Sequence, residues 1–227
     1  MRLGKHSDYT IVVPAKGETT RLANFLRDCP DANVIIVVPR TEFEAAKRTY
    51  RRAVVLSESD FGYGAAIKTG ISHSKDDVVA VLDGDGTYDT SDVCRAVANL
   101  ETEGLDAVFS ERFSKQENTM QDTRKFGNQA INLFLSILLP YNVNDSQSGL
   151  YAIRKSSFKG AIPKENGFAF CQELKFAAVK RNMKVKWIPI SYHDRSAGSK
   201  FNFFLDGVKL VASAIREKIN GAVDNEK

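Results

Sequence analysis

The sequence predicts an α/β fold, a single domain with a mostly parallel central sheet. Three observations predict it. Short apolar runs of strand length alternate with helical patterns through the first half of the chain. Those runs, such as VIIVV at 34–38 and VVAVL at 78–82, are continuously apolar, as strands covered on both faces are. The 227 residues, 43% apolar and 26% charged, suffice for one substantial core, and no repeat or internal boundary divides them.

In chain order, residues 9–14 read as the first strand, followed by a polar loop and a helix near 20–28. Strand 34–38 leads to a short helical pattern at 42–50, and 53–56 is the third strand. Gly62 and Gly64 open a helix over 65–72, after which 78–82 is the fourth strand, 92–103 a helix and 107–110 a strand. Residues 111–125 are polar and long for a connection, hence a candidate active-site loop. A helix over 126–139 stops at Pro140, and 145–153 returns to strand character. Residues 170–181 are helical, 184–188 form a strand closed by Pro189, and 192–200 make a basic loop. In the final helix Phe201, Phe204, Leu205, Val208, Val211, Ala212, Ile215 and Ile219 follow helical spacing. That stripe is a packing face or, on a basic amphipathic helix, a membrane or subunit contact. The expected organisation is a lead at 1–8, a catalytic domain at 9–200, and a C-terminal helix and tail at 201–227.

The formal net charge of +4 suits an anionic substrate or acidic headgroups. Without a patterned aromatic groove it does not point to nucleic acid. Cys29, Cys94 and Cys171 are odd in number and lack metal spacing, so reduced thiols in a cytoplasmic setting are expected. Residues 1–8 are polar and run directly into a strand, unlike a secretory leader. The apolar segments around 131–139 and 201–215 are too short or too interrupted to span a bilayer. Peripheral attachment to the cytoplasmic membrane face stays open.

The most informative stretch is VVAVLDGDGTYDTSD at 78–92. A buried strand there ends in Asp83 and Asp85, separated by one glycine. Carboxylates at the carboxyl end of a parallel strand face the edge where ligands collect. Such a pair suits Mg2+ or Mn2+ carrying a substrate's phosphates, and an acidic turn or a calcium loop is the other reading. Pro14, Ala15 and Glu18 leave the first strand at the same edge, where backbone could grip a nucleotide and Glu18 a ribose or base. Alternatively, Glu18 complements a positive helix end. Gly62 and Gly64 permit close approach before a helix whose amides favour phosphate. Arg112, Arg124, Arg195 and Lys200 flank or occupy the polar loops, and with the paired acids they suggest an anion-binding cleft containing metal.

Five segments stand in an order that resembles the GT-A inverting glycosyltransferases of family 2, particularly the dolichol-phosphate mannose synthase and polyprenyl-phosphate glycosyltransferase branch. They are VVPAKGE (12–18), GYGAAIKTGI (62–71), DGDGTYD (83–89), DSQSGLYAIRK (145–155) and PISYHDRSAGSK (189–200), and the resemblance covers roughly 9–210. It implies a GT-A nucleotide-diphospho-sugar transferase domain in which Asp83 and Asp85 hold Mg2+ or Mn2+ on the donor diphosphate. Pro14, Ala15 and Glu18 would form the nucleotide loop, with Gly64 and Lys200 also on the donor side. Arg112 and Arg124 would hold acceptor phosphate, and Arg195 and Lys200 would close on phosphates. Asp145, Gln147, Ser148 and Gly149 would lie near the sugar, and Glu173 near the acceptor.

The function so implied is metal-dependent, inverting transfer of a hexose from a UDP- or GDP-sugar to polyprenyl (dolichyl) phosphate, with a membrane surface or membrane protein as an open partner. The alternatives are transfer to a soluble hydroxyl acceptor, nucleotidyl transfer, and noncatalytic nucleotide-sugar binding. For a hydroxyl acceptor a positioned carboxylate matters more, and Glu173 or Asp145 is the first candidate. Two departures leave the base open. Lys16-Gly17 replaces the family's aromatic-Asn pair, and Val38 is followed by Pro39-Arg40-Thr41 where the family has an acid-rich segment.

Overall fold

The computed structural model describes residues 9–17, 32–112, 129, 131–137, 143–193 and 210–216. The expected helix at 20–28, Glu18, Arg124, Arg195 and Lys200 lie outside these residues.

Seven strands form one sheet in the order β3-β2-β1-β4-β6-β5-β7. They are β1 (Tyr9–Pro14), β2 (Asn33–Val38), β3 (Val54–Ser57), β4 (Val78–Val81), β5 (Ala107–Glu111), β6 (Tyr151–Arg154) and β7 (Val185–Pro189). The neighbours β3, β2, β1 and β4 pair in parallel, as do β5 and β7. Between β4 and β5, β6 runs antiparallel to both. The expected mostly parallel α/β sheet is therefore what forms, with one reversed strand that local sequence pattern did not reveal.

The helices are α1 (Phe43–Thr49), α2 (Tyr63–His73), α3 (Thr90–Thr102), α4 (131–137), α5 (Ala169–Lys180) and α6 (210–216). Alternate strand residues feed two cores. Ile11, Val13, Ile36 and Ala80 pack with Ala46 of α1 and Val93, Val97 and Leu100 of α3. Val12, Val37, Val79 and Phe109 pack with Ile67 and Ile71 of α2 and Phe170 and Leu174 of α5 on the other face. This two-sided burial is why the strands read as unbroken apolar runs. Helix α2 lies so close to the sheet that a side chain on Gly70 would meet Val12 Cγ1 at 2.3 Å.

The expected strand over 145–153 forms at Tyr151–Arg154 alone. Upstream of it, the carbonyls of Asp145, Ser146 and Ser148 accept hydrogen bonds from a buried lysine instead of a neighbouring strand. Among the described residues no helix is long and apolar enough to cross a membrane.

Candidate active site

The carboxyl ends of β1, β2, β4 and β5 lie at one edge of the sheet, and the reversal of β6 brings its amino end there too. Val81 pairs with Tyr151, so the chain leaving β4 through Leu82 to Asp83 runs beside Leu150 and Gly149. Asp83 is half-buried, and its Oδ1 accepts a 2.6 Å hydrogen bond from the Tyr63 hydroxyl at the start of α2. The Tyr63 ring stacks on Phe168 with centroids 5.2 Å apart, which fixes the donor. Burial, and then the charge of Asp83, hold the Tyr63 phenol well above its ordinary pKa, so it remains a donor. Asp85 is buried, and its Oδ1 accepts from the Thr87 amide (3.1 Å) and hydroxyl (2.7 Å).

Gly149 completes this corner. Its amide donates to the Tyr88 hydroxyl at 2.9 Å. A Cβ on Gly149 would lie 2.7 and 2.9 Å from the two Asp83 oxygens and 2.9 Å from the Tyr63 hydroxyl, so only glycine leaves Asp83 where it stands. Among the described residues no three His, Cys, Asp or Glu side chains cluster as a self-sufficient metal cage. Two hard carboxylates, that of Asp83 kept clear by a missing side chain, nevertheless fit Mg2+ or Mn2+, which commonly take one or two carboxylates plus substrate phosphates.

A second cluster sits beside the first. Arg112, just past β5, meets Asp145 with both arms of its guanidinium, Nε to Oδ2 at 2.7 Å and Nη2 to Oδ1 at 2.8 Å. The Arg112 amide adds a third bond to Oδ2 at 3.1 Å. Burial alone would raise the Asp145 carboxyl, but Arg112 outweighs it and holds the group below the usual carboxylate range. Burial also opposes the charge on Arg112, and Asp145 reverses that, leaving the guanidinium firmly protonated. The Arg112 guanidinium lies 5.3 Å from the Tyr192 ring, which meets Tyr88 edge-on at 5.3 Å. Ser148 is fully buried with its hydroxyl on that of Ser110. Gln147 Nε2 donates to Ser146 Oγ (3.1 Å) and Gln172 Oε1 (3.2 Å).

In the loop expected to grip a nucleotide, the Ala15 amide donates a hydrogen bond to Val37 O at 2.9 Å and so extends β1. Gly17 takes a φ of +69° and its amide donates to Glu42 Oε2 at 2.8 Å. A carboxylate therefore does reach this loop from the end of β2, although the acid-rich segment is missing. Sequence reading passed over Glu42 because it lies one short turn further on. Lys16 Nζ lies 5.3 Å from the exposed Phe61 ring. Gly64 has a packing reason of its own, since a Cβ there would meet Phe170 Cβ at 2.6 Å and Glu165 O at 2.8 Å. Glu173 is half-buried on α5 and accepts from Ser213 Oγ of α6 at 2.8 Å. Tyr63, Glu42 and Lys175 were not singled out from sequence. Their partners lie far along the chain, so no local spacing announced them.

Residues 10–160 match the family described as Glycosyl transferase family 2. The chain belongs to that family and is a glycosyltransferase. Glycosyltransferase AglJ of Haloferax volcanii is 29% identical over 85% of this chain, which spans 65% of that protein's length. The dolichyl-phosphate hexose transferase of the same organism is 26% identical over 72% of this chain and 71% of its own. Glucosyl-3-phosphoglycerate synthase from Mycobacterium tuberculosis, solved with Mn2+, UDP-glucose and phosphoglyceric acid, shares the fold at a TM-score of 0.73. It is 17% identical, covering 92% of this chain and 79% of its own. The fold is thus the nucleotide-sugar transferase fold that the motifs implied.

The expected acceptor and partner, polyprenyl (dolichyl) phosphate, is corrected. Several structures of glucosyl-3-phosphoglycerate synthase, which shares this fold, hold phosphoglyceric acid, a small soluble acid. The physical reason lies in the arginines that had argued for lipid phosphate. Both arms of the Arg112 fork are directed to the internal carboxylate of Asp145, and basic loops that suit a lipid phosphate suit a small phosphorylated acid equally.

Proposed function

We propose that this chain transfers a hexose from a nucleoside-diphosphate sugar to the hydroxyl of a soluble, anionic acceptor, with Mg2+ or Mn2+ required. The carrying observation is the Asp83–Asp85 pair at the sheet edge, with Gly149 keeping the Asp83 carboxylate clear. In this reading Asp83 and Asp85 hold the cation, and Tyr63 keeps Asp83 oriented through its 2.6 Å hydrogen bond. Bound there, the cation would offset charge on the departing diphosphate as the bond from the anomeric carbon breaks. The new bond forms from that carbon to the acceptor oxygen, whose proton must leave. Asp145 suits an anchoring role better than that of a base, since it is fully buried and committed to Arg112. Glu173, half-buried, is the candidate base to test first. A UDP-sugar is the first donor to offer, because UDP-glucose with Mn2+ occupies the same fold in glucosyl-3-phosphoglycerate synthase.

The test is a mass-spectrometric turnover screen of UDP- and GDP-sugars with Mn2+ or Mg2+ against phosphoglycerate, glycerol phosphate and neutral polyols. A hexose-mass gain on an anionic acceptor supports the proposal. Donor left intact across the whole panel would overturn it, and pyrophosphate release from a nucleoside triphosphate would redirect it to nucleotidyl transfer.

A further inference from the structure

Lys175 is a buried cation that the sugar-transfer reading does not use. It lies in α5 with no exposed surface, and its Nζ donates to the carbonyls of Asp145 (2.7 Å), Ser148 (2.8 Å) and Ser146 (3.3 Å). Three ammonium protons thus meet three main-chain acceptors. The rings of Phe109 and Trp187 lie 5.8 and 5.9 Å from Nζ. Its desolvation penalty is offset by the three carbonyls it satisfies, which an apolar residue would leave without this donor. The segment it holds carries Asp145 against Arg112 at one end and runs into Gly149 against Asp83 at the other.

We propose that Lys175 is a positioning residue whose ammonium pins the main chain of 145–148, and thereby sets where Gly149 and Asp145 stand in the sugar-transfer site. The charged and titratable groups facing it are Asp145, Arg112 past β5, Cys171 one turn earlier on α5, and Asp83 past β4. Burial pushes the ammonium down to about 8, further than Asp145 can restore it. A neutral amine has two N–H donors and cannot serve three carbonyls. Activity therefore falls as pH rises through about 8. Stability moves the other way, because between about 8 and the unfolded value near 10.4 the unfolded chain binds more protons than the folded one. A lysine that only fills space would leave kcat level through about pH 8.

The turnover readout rests on the sugar-transfer reading, so the experiment carries a second readout that does not. On the full chain, hydrogen–deuterium exchange over 145–149 is compared between wild type and Lys175→Met, alongside kcat, KM and Tm across about pH 6.5–10. Faster exchange confined to 145–149, kcat down about tenfold, Mn2+–UDP affinity weakened about 3–10-fold and loss of the alkaline limb support the proposal. Lys175→Arg, which keeps a cation, should restore protection and show no limb near pH 8. Unchanged exchange over 145–149 in Lys175→Met would overturn it even if no acceptor is ever found. If Lys175→Met does not fold, the wild type decides. Protection over 145–149 that weakens together with kcat as pH rises through about 8 supports the proposal, and protection unchanged across that range overturns it.

Discussion

Replacing Gly149 with alanine tests the geometry of the acidic corner most directly. The added carbon would start 2.7 and 2.9 Å from the Asp83 oxygens and 2.9 Å from the Tyr63 hydroxyl. An ordinary carbon–oxygen contact is about 3.3–3.6 Å, so the carboxylate must retreat by roughly 0.4–0.9 Å. It cannot rotate aside freely, because Tyr63 holds Oδ1 at 2.6 Å and is itself stacked on Phe168. Metal ligation tolerates displacements of only about 0.2 Å. Gly149 does not have a positive φ, so alanine adds steric conflict without backbone strain. We expect Mn2+–UDP affinity to fall by about 10–100-fold, the range for disturbed support of a metal ligand. The overpacking should cost roughly 1–3 kcal/mol of stability. Calorimetric titration of Mn2+ with UDP, paired with thermal melts, measures both. Wild-type Mn2+ affinity in a folded Gly149→Ala protein would refute the claim that this glycine keeps Asp83 in place.

Other perturbations separate site from scaffold. Asp83→Asn and Asp85→Asn keep an oxygen for the Tyr63 and Thr87 donors, so Tm should change little while metal-dependent turnover falls on the order of 100-fold or more. Normal steady-state kinetics in both variants would remove the metal role. The Asp145 carboxyl is held below its unfolded value, so its contribution to stability is complete above about pH 4 and is lost as pH falls through the folded value. Urea titrations from about pH 5 to 2 should accordingly show a shallower acid dependence in Asp145→Asn than in wild type. That variant should also be about 3–5 kcal/mol less stable at neutral pH, because it leaves Arg112 buried without its carboxylate. Gly70→Ala must push α2 away from Val12, and Tm should drop by roughly 2–4 °C for each kcal/mol lost. An unchanged melt there would mean that helix and sheet separate at no cost.

What could be read in advance was whatever one segment encodes by itself. Strands β1, β2 and β4 were legible because burial on both faces forces continuous apolar runs. Asp83 and Asp85 were legible because acids punctuated by glycine at the end of such a run have few structural uses. The direction of β6 was not legible, since Tyr-Ala-Ile-Arg reads the same in either orientation and the loop and helix expected over 111–139 are long enough for a parallel crossover as well as a reversal. The partnerships that shape the site were hidden for a related reason. Tyr63 with Asp83, Glu42 with Gly17, Arg112 with Asp145 and Lys175 with 145–148 each join residues about 20 or more positions apart. Periodicity is silent on contacts of that range.

The reversal of β6 explains why one short segment reaches both halves of the site. Had β6 run parallel to β4 and β5, the residues following Arg154 would have met the ligand edge, and 145–150 would have lain at the far end. Antiparallel pairing of Val81 with Tyr151 and of Phe109 with Tyr151 instead places the approach to β6 between the exits of β4 and β5. Gly149 then stands against Asp83, Ser148 against Ser110 and Asp145 against Arg112, all from five consecutive residues. Those five residues lie outside the named strands, and the carbonyls of three of them, Asp145, Ser146 and Ser148, take a donor from Lys175. The buried lysine is thus the counterpart of the reversed strand. Substitutions at 145–149 should disturb the Asp83 carboxylate and the Arg112 pair together, whereas changes in the loop after β1 should leave both in place.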